Sequence, residues 1–212
     1  MTRLIGDIHC KAKLKNIMIP GSIQLGDLCL LGYENFTFKD SPRYFIEGNH
    51  DFLPILDIDS DKIMEIRENL FYIPRGFVSG KVLFIGGADS IDKYLRHPGY
   101  DWFPEESLTQ KQFERIMDNP SEIEVVISHD APTCATGYVG STSTALDIIW
   151  KNKRPKLWVY AHHHVSKNRM INHNFGETRF IGLAEKEYLD IDIPLFLSYY
   201  INVVNFSPTQ LR

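Results

Sequence analysis

The stretch Arg43-Tyr44-Phe45-Ile46-Glu47-Gly48-Asn49-His50-Asp51 decides how this chain is read. An aromatic and β-branched run suits a buried strand. The run stops at a glycine and then presents an amide, an imidazole and a carboxylate at successive positions. Single residues of these types at a strand end are often plain turn formers. Their repetition is what carries information. Residues 2–5 run into Gly6-Asp7-Ile8-His9, and residues 22–25 run into Gly26-Asp27. Residues 124–127 run into Ser128-His129-Asp130, and residues 157–160 into Ala161-His162-His163-His164.

Further strands are expected at 82–85, 179–181 and 197–205. Helices are expected between them. Leu14, Ile17 and Met18 recur at helical spacing, as do Ile63, Ile66 and Leu70. Thr109 and Gln112 form a capping-box pattern ahead of Phe113, Ile116 and Met117. Leu146, Ile149 and Trp150 make another apolar stripe after a Ser/Thr-rich start. Strands alternating with helices indicate an α/β fold. The later strands are less regularly separated by helices, so a second, partly antiparallel sheet packed on the first is expected.

In open α/β sheets, ligands gather at the carboxyl ends of strands. Five such ends here deliver Asp, Asn or His. In extended chain, residues two apart share a side. Asp7 and His9 are then expected to reach one ion together, as are His162 and His164, while His163 faces away. Imidazole mixed with carboxylate suits Mn, Fe or Zn better than Mg or Ca. Seven ligands exceed what one catalytic ion takes while keeping a position open. Two ions sharing a bridging carboxylate would use them all.

Taken in order, Gly6-Asp7-Ile8-His9, Gly26-Asp27, Gly48-Asn49-His50-Asp51, His129 and His162-His163-His164 resemble the calcineurin-like metallophosphoesterase superfamily. The stretches Ile85–Asp92, Asp101–Pro104 and Ser128–Pro132 look like its small bacterial and phage members. The resemblance implies a two-sheet α/β/β/α sandwich over residues 1–212 and hydrolysis of phosphate mono- or diesters. It implies that Asp7, His9 and His164 hold one ion, that Asn49, His129 and His162 hold the other, and that Asp27 bridges them. Two divalent ions about 3.5–4 Å apart would share a hydroxide that attacks phosphorus. His50 would be the general acid, oriented by Asp51. Mn2+ is the first candidate ion, with Fe or Zn as alternatives.

Some positions depart from the family pattern. The segment Asp27-Leu28-Cys29-Leu30-Leu31-Gly32 lacks the Asp-Arg-Gly that follows the second block in several branches. A phosphate-binding group must then come from elsewhere, and Arg96 is the candidate. Ala161 stands where a glycine is usual, and Cys10 replaces a common glycine. Twenty positions separate Asp7 from Asp27, so the first helix must be short.

The net charge of −4 asks for neither a membrane nor a nucleic-acid partner, except nucleic acid as substrate. No apolar run reaches the roughly 20 residues of a membrane helix, and the N-terminus turns polar too soon for a signal peptide. Three scattered cysteines, Cys10, Cys29 and Cys134, indicate no disulfide framework and read as small buried hydrophobes in a reducing cytoplasm. The rival reading is a non-catalytic interaction scaffold on the same fold. Gly76–Val82 is one residue short of a phosphate loop and lacks its Ser or Thr. A Gly-x-Ser-x-Gly motif is absent.

Overall fold

The computed structural model describes residues 1–29 and 32–193, which form two six-stranded sheets. The strands are β1 (Thr2–Ile5), β2 (Ile23–Leu25), β3 (Arg43–Ile46), β4 (Met64–Arg67), β5 (Leu70–Tyr72) and β6 (Val78–Ser79). They continue with β7 (Val82–Ile85), β8 (Val125–Ser128), β9 (Leu157–Tyr160), β10 (Lys167–His173), β11 (Gly176–Gly182) and β12 (Tyr188–Ile191). The helices are α1 (Gln110–Asp118), α2 (Thr133–Thr136) and α3 (Ser141–Lys153).

One sheet runs β12-β1-β2-β3-β5-β4 and the other β10-β11-β9-β8-β7-β6. Each has four parallel strands at its centre and an antiparallel strand at each edge. Strand periodicity sorts the apolar residues between layers. Leu4, Tyr44, Ile46, Phe84 and Val159 face the space between the sheets. Ile5, Phe45 and Tyr72 face the outer side of the first sheet, under Tyr33 and Phe36. Leu83, Ile85, Trp158 and Tyr160 face outward from the second sheet, against Ile116 of α1 and Leu146, Ile149 and Trp150 of α3. Central strands buried on both faces read as nearly unbroken apolar runs, which is why they stand out in sequence.

The capping box is present: Thr109 Oγ1 accepts from Gln112 N, and Thr109 N donates to Gln112 Oε1. The first helical segment is indeed short, a 3-10 stretch at Ala12–Ile17. The helix expected from Ile63, Ile66 and Leu70 is instead the hairpin β4–β5. Its turn holds Asn69 at φ +56°, a conformation asparagine tolerates, and three-residue spacing there is coincidental. The expected strand at 197–205 lies outside the described residues.

The cysteine expectation needs correction. The loops after β1 and β2 run side by side, with Cys10 N donating to Leu28 O, and bring Cys10 and Cys29 to a Cα separation of 4.4 Å in a disulfide. That bond removes the ground for inferring a reducing compartment from cysteine usage. Cys134 is free and half-buried, and burial pushes its thiol up to about 12. Among the described residues no helix is long and apolar enough to cross a membrane.

Candidate metal centre

The carboxyl ends of β1, β2 and β3 in one sheet meet those of β8 and β9 in the other. Asp7, His9, Asp27 and His164 form one cluster of potential ligand atoms, and Asp27, His129 and His162 form a second. Asp27 belongs to both. In the first, His164 Nε2 lies 2.8 Å from Asp7 Oδ2 and 2.9 Å from His9 Nε2. In the second, His129 Nε2 lies 3.4 Å from Asp27 Oδ1 and 3.2 Å from Asn49 Oδ1.

The ligand loops are not the extended chain the sequence suggested. His9, Asp27, His162 and His164 all have positive φ, between +51° and +62°. Half of the eight described non-glycine residues in that region are thus candidate ligands. Such backbone costs on the order of 1–3 kcal/mol each and concentrates where function demands it. Close approach also requires glycine at two places. A side chain at Gly26 would strike the His129 ring, and one at Gly48 would strike Asp27 and His129.

The polar atoms here are arranged for a cation. His129 donates Nδ1–H to Leu25 O at 2.7 Å, which leaves its Nε2 a lone pair. That lone pair faces Asp27 Oδ1 and Asn49 Oδ1. Asp27 Oδ2 is buried and receives no hydrogen bond, and buried Asp7 Oδ2 meets His164 Nε2 at 2.8 Å. Stranded acceptors of this kind are costly without a counter-charge. Burial pushes His129 down to about 3 and holds His9 and His162 below the usual imidazole range, so all three rings are neutral. Burial raises Asp27 well above the usual carboxylate range, with the Asp7 charge adding to it. Burial also pushes Asp7 up, but the His164 hydrogen bond and the neighbouring imidazoles overcome it and leave Asp7 low. Neutral imidazoles beside a carboxylate that a cation would deprotonate are a fit for divalent metal.

Residues 3–166 match the profile described as calcineurin-like phosphoesterase. The chain belongs to that family. No curated protein matches this chain in sequence. Among solved structures it is similar to "GAP50 the anchor in the inner membrane complex of Plasmodium", with 12% identity and a TM-score of 0.42 over 85% of this chain and 70% of that one. It is also similar to a hypothetical protein from Thermus thermophilus, with 14% identity and a TM-score of 0.41 over 87% and 75% of the two chains.

The cluster opens into a pocket of ≈ 420 Å³ that Asp27 and His162 line together with His50, Arg96, Tyr138 and His163. Arg96 Nη2 is 2.8 Å from His50 Nε2 and 2.7 Å from Asp92 Oδ1. Burial, reinforced by the Arg96 charge, pushes His50 down to about 4, so its Nε2 accepts from Arg96. Asp51 does not orient this ring as expected. Its side chain is fully buried under the loop, where Oδ1 accepts from Cys29 N and Oδ2 from Gly48 N, each at 2.7 Å. Asp51 thereby ties the loop carrying Asp27 to the loop carrying Asn49.

Sequence reasoning misplaced or missed several other residues. His163 was expected to face away, yet it lines the pocket with Nε2 2.9 Å from Asp130 Oδ1. The turn through His162 and His164, both at positive φ, breaks the two-residue alternation on which that expectation rested. Ser90 and Glu106 were not singled out. Asn49 Nδ2 donates to Ser90 Oγ at 3.0 Å, and Ser90 Oγ donates to Glu106 Oε2 at 2.8 Å. This chain turns Asn49 Oδ1 toward His129 and the metal cluster. The strand end at β7, followed by Gly86-Gly87-Ala88-Asp89-Ser90, was the available signal.

Proposed function

We propose that this protein is a metal-dependent phosphoesterase that uses two divalent cations, with Mn2+ the first choice. The observation that carries the reading is the convergence of Asp7, His9 and His164 with His129 and His162 around the shared, buried Asp27, whose Oδ2 receives no hydrogen bond. Asp7, His9 and His164 would hold one cation, Asn49, His129 and His162 the other, and Asp27 both. Bound there, the cations would supply an activated water as nucleophile and neutralise charge on the phosphoryl oxygens.

The remaining work falls to this chain's own side chains. Arg96 is the phosphate-binding group that the loop after Asp27 lacks. A phosphate arriving beside Arg96 would take over the hydrogen bond now given to His50. That frees His50 Nε2 to face the leaving oxygen, and the incoming negative charge favours its protonation. His50 then donates a proton to the departing alkoxide as general acid. Asp51 supports this geometry through the backbone and not through the imidazole.

Turnover of p-nitrophenyl phosphate and bis-p-nitrophenyl phosphate with Mn2+, Fe2+ or Zn2+ tests the reading. His50→Ala should slow alkyl phosphates far more than p-nitrophenyl phosphate, whose leaving group needs little protonation. Equal losses on both would remove the acid role. No turnover of any phosphoester would favour the non-catalytic scaffold instead.

A further inference from the structure

The Cys10–Cys29 bond takes no part in the chemistry above, yet it joins the two loops that carry Asp7, His9 and Asp27. Cys10 follows His9 directly, and Cys29 lies two residues after Asp27. The two sides of the bond are held differently. On the Asp27 side, Leu28 is fully buried and Cys29 nearly so. Cys29 N donates to Asp51 Oδ1 at 2.7 Å, and Cys29 O accepts from Phe52 N at 3.2 Å. That half is fastened to the loop of Asn49. On the other side, His9 and Cys10 are consecutive non-glycine residues at φ +51° and +58°. Such backbone persists only where its surroundings enforce it. His9 N donates to Asp27 O and Cys10 N to Leu28 O, each at 2.8 Å. Both residues are half-buried, and the chain leads on to the exposed Lys11, Lys13, Lys15 and Asn16. The disulfide is the covalent tie between this strained turn and the fastened loop.

We propose that the Cys10–Cys29 bond is a redox switch on the cation position bounded by Asp7, His9 and His164. Oxidised, it holds the turn that presents His9. Reduced, it releases that turn, and the position loses a ligand. The position bounded by Asn49, His129 and His162 keeps its affinity. Its bridging Asp27 has an anchor of its own, Oδ1 accepting from His50 N at 2.7 Å. His129 stays fixed by Leu25 O and Asn49 by Ser90. This rests on the two-cation reading above. The reductant is a dithiol. Its thiolate attacks Sγ of Cys10, the less buried partner. The bond between the two sulfurs breaks, and its electron pair leaves on Cys29, which takes up a proton. The second sulfur of the reductant then displaces Cys10 in the same way. The protein gains two electrons and two protons as a pair of thiols, and the dithiol becomes a cyclic disulfide.

The test titrates Mn2+ calorimetrically into metal-free protein, either oxidised or reduced with dithiothreitol and then desalted under nitrogen. Oxidised protein should show two binding events. Reduction should weaken one of them about 10–100-fold and leave the other unchanged. The event that survives in His9→Ala should not respond to reduction. Amide hydrogen exchange, followed without metal, should quicken at His9 and Cys10 on reduction and stay slow in β2. The double variant Cys10→Ser, Cys29→Ser should bind Mn2+ as reduced wild type does and ignore dithiothreitol. It keeps Cys134, so a response that persists there belongs to that thiol and overturns the proposal. Two events untouched by reduction, both weakened together, exchange unchanged at His9 and Cys10, or a responsive event in His9→Ala likewise overturns it, while the two-cation reading stands. Oxidised protein that binds fewer than two Mn2+ contradicts the two-cation reading, and the switch falls with it.

Discussion

Replacing Ser90 by alanine should loosen the second metal position without touching any proposed ligand. Ser90 Oγ accepts from Asn49 Nδ2 and donates to Glu106 Oε2, so it fixes which end of a buried amide faces the cluster. Without it, the Asn49 amide loses the acceptor that holds Nδ2 away from the ions. The flipped rotamer then points a donor at the cations. Removing such an outer partner costs on the order of 10–100-fold in metal affinity, which corresponds to about 1.4–2.8 kcal/mol. Glu106 Oε1 still accepts from Ser90 N, so the fold should lose only about 1–3 kcal/mol for the orphaned Oε2. The assay is calorimetric titration of metal-free protein with Mn2+, alongside urea unfolding of the same samples. Ser90→Thr keeps the hydroxyl and should restore most of the affinity. Mn2+ binding within twofold of wild type in Ser90→Ala, or an equal loss in Ser90→Thr, would refute the reasoning.

The Cys10–Cys29 disulfide closes a loop of sequence separation 19, for which chain entropy suggests about 3 kcal/mol. The double Cys→Ser variant should therefore show a clearly lower urea midpoint than oxidised wild type, and an unchanged midpoint would contradict the clamp. Metal uptake should release protons, because burial favours the protonated form of Asp27 and the Asp7 hydrogen bond favours protonated His164. Raising a carboxylate pKa means that protons compete with the cation, so Mn2+ affinity should fall as pH drops from 7 to 5. Calorimetry in buffers of different ionisation enthalpy should detect proton release at pH 6, and less of it in Asp27→Asn. Binding without proton release at pH 6 would contradict the raised Asp27 and His164. Breaking the fully buried Arg75–Glu47 ion pair with Glu47→Ala should cost about 3–5 kcal/mol, read by urea unfolding, since Arg75 would be left charged and enclosed. A loss under 1 kcal/mol would count against that pairing.

The central strands were legible because burial on both faces writes them as apolar runs. The runs at β1, β3, β7 and β9 begin and end where the sequence places them. The two helices with clear apolar stripes, α1 and α3, were legible for the same reason. Edge elements were harder. Residues Lys167–His173 of β10 alternate weakly and are largely exposed, so no apolar pattern announces the strand. The β4–β5 hairpin imitates helical spacing until Asn69 is recognised as its turn. At the site, residue types in order were enough to name the side chains that converge. Their orientation was not legible, because it depends on positive φ at His9, Asp27, His162 and His164. Residues that act from other loops, such as Glu106 and Tyr138, carry no local signature, and Ser90 is marked only by the end of β7 before it. The cysteine pairing was hidden likewise, since only the adjacency of the two loops after β1 and β2 brings Cys10 to Cys29.

The central claim is tested most directly by anomalous diffraction at the Mn edge from crystals of Mn2+-loaded protein. Two peaks are expected, one bounded by Asp7, His9 and His164 and the other by Asn49, His129 and His162, with Asp27 between them. A single peak, or density lodged among Asp130, His162 and His163 instead, would contradict the account.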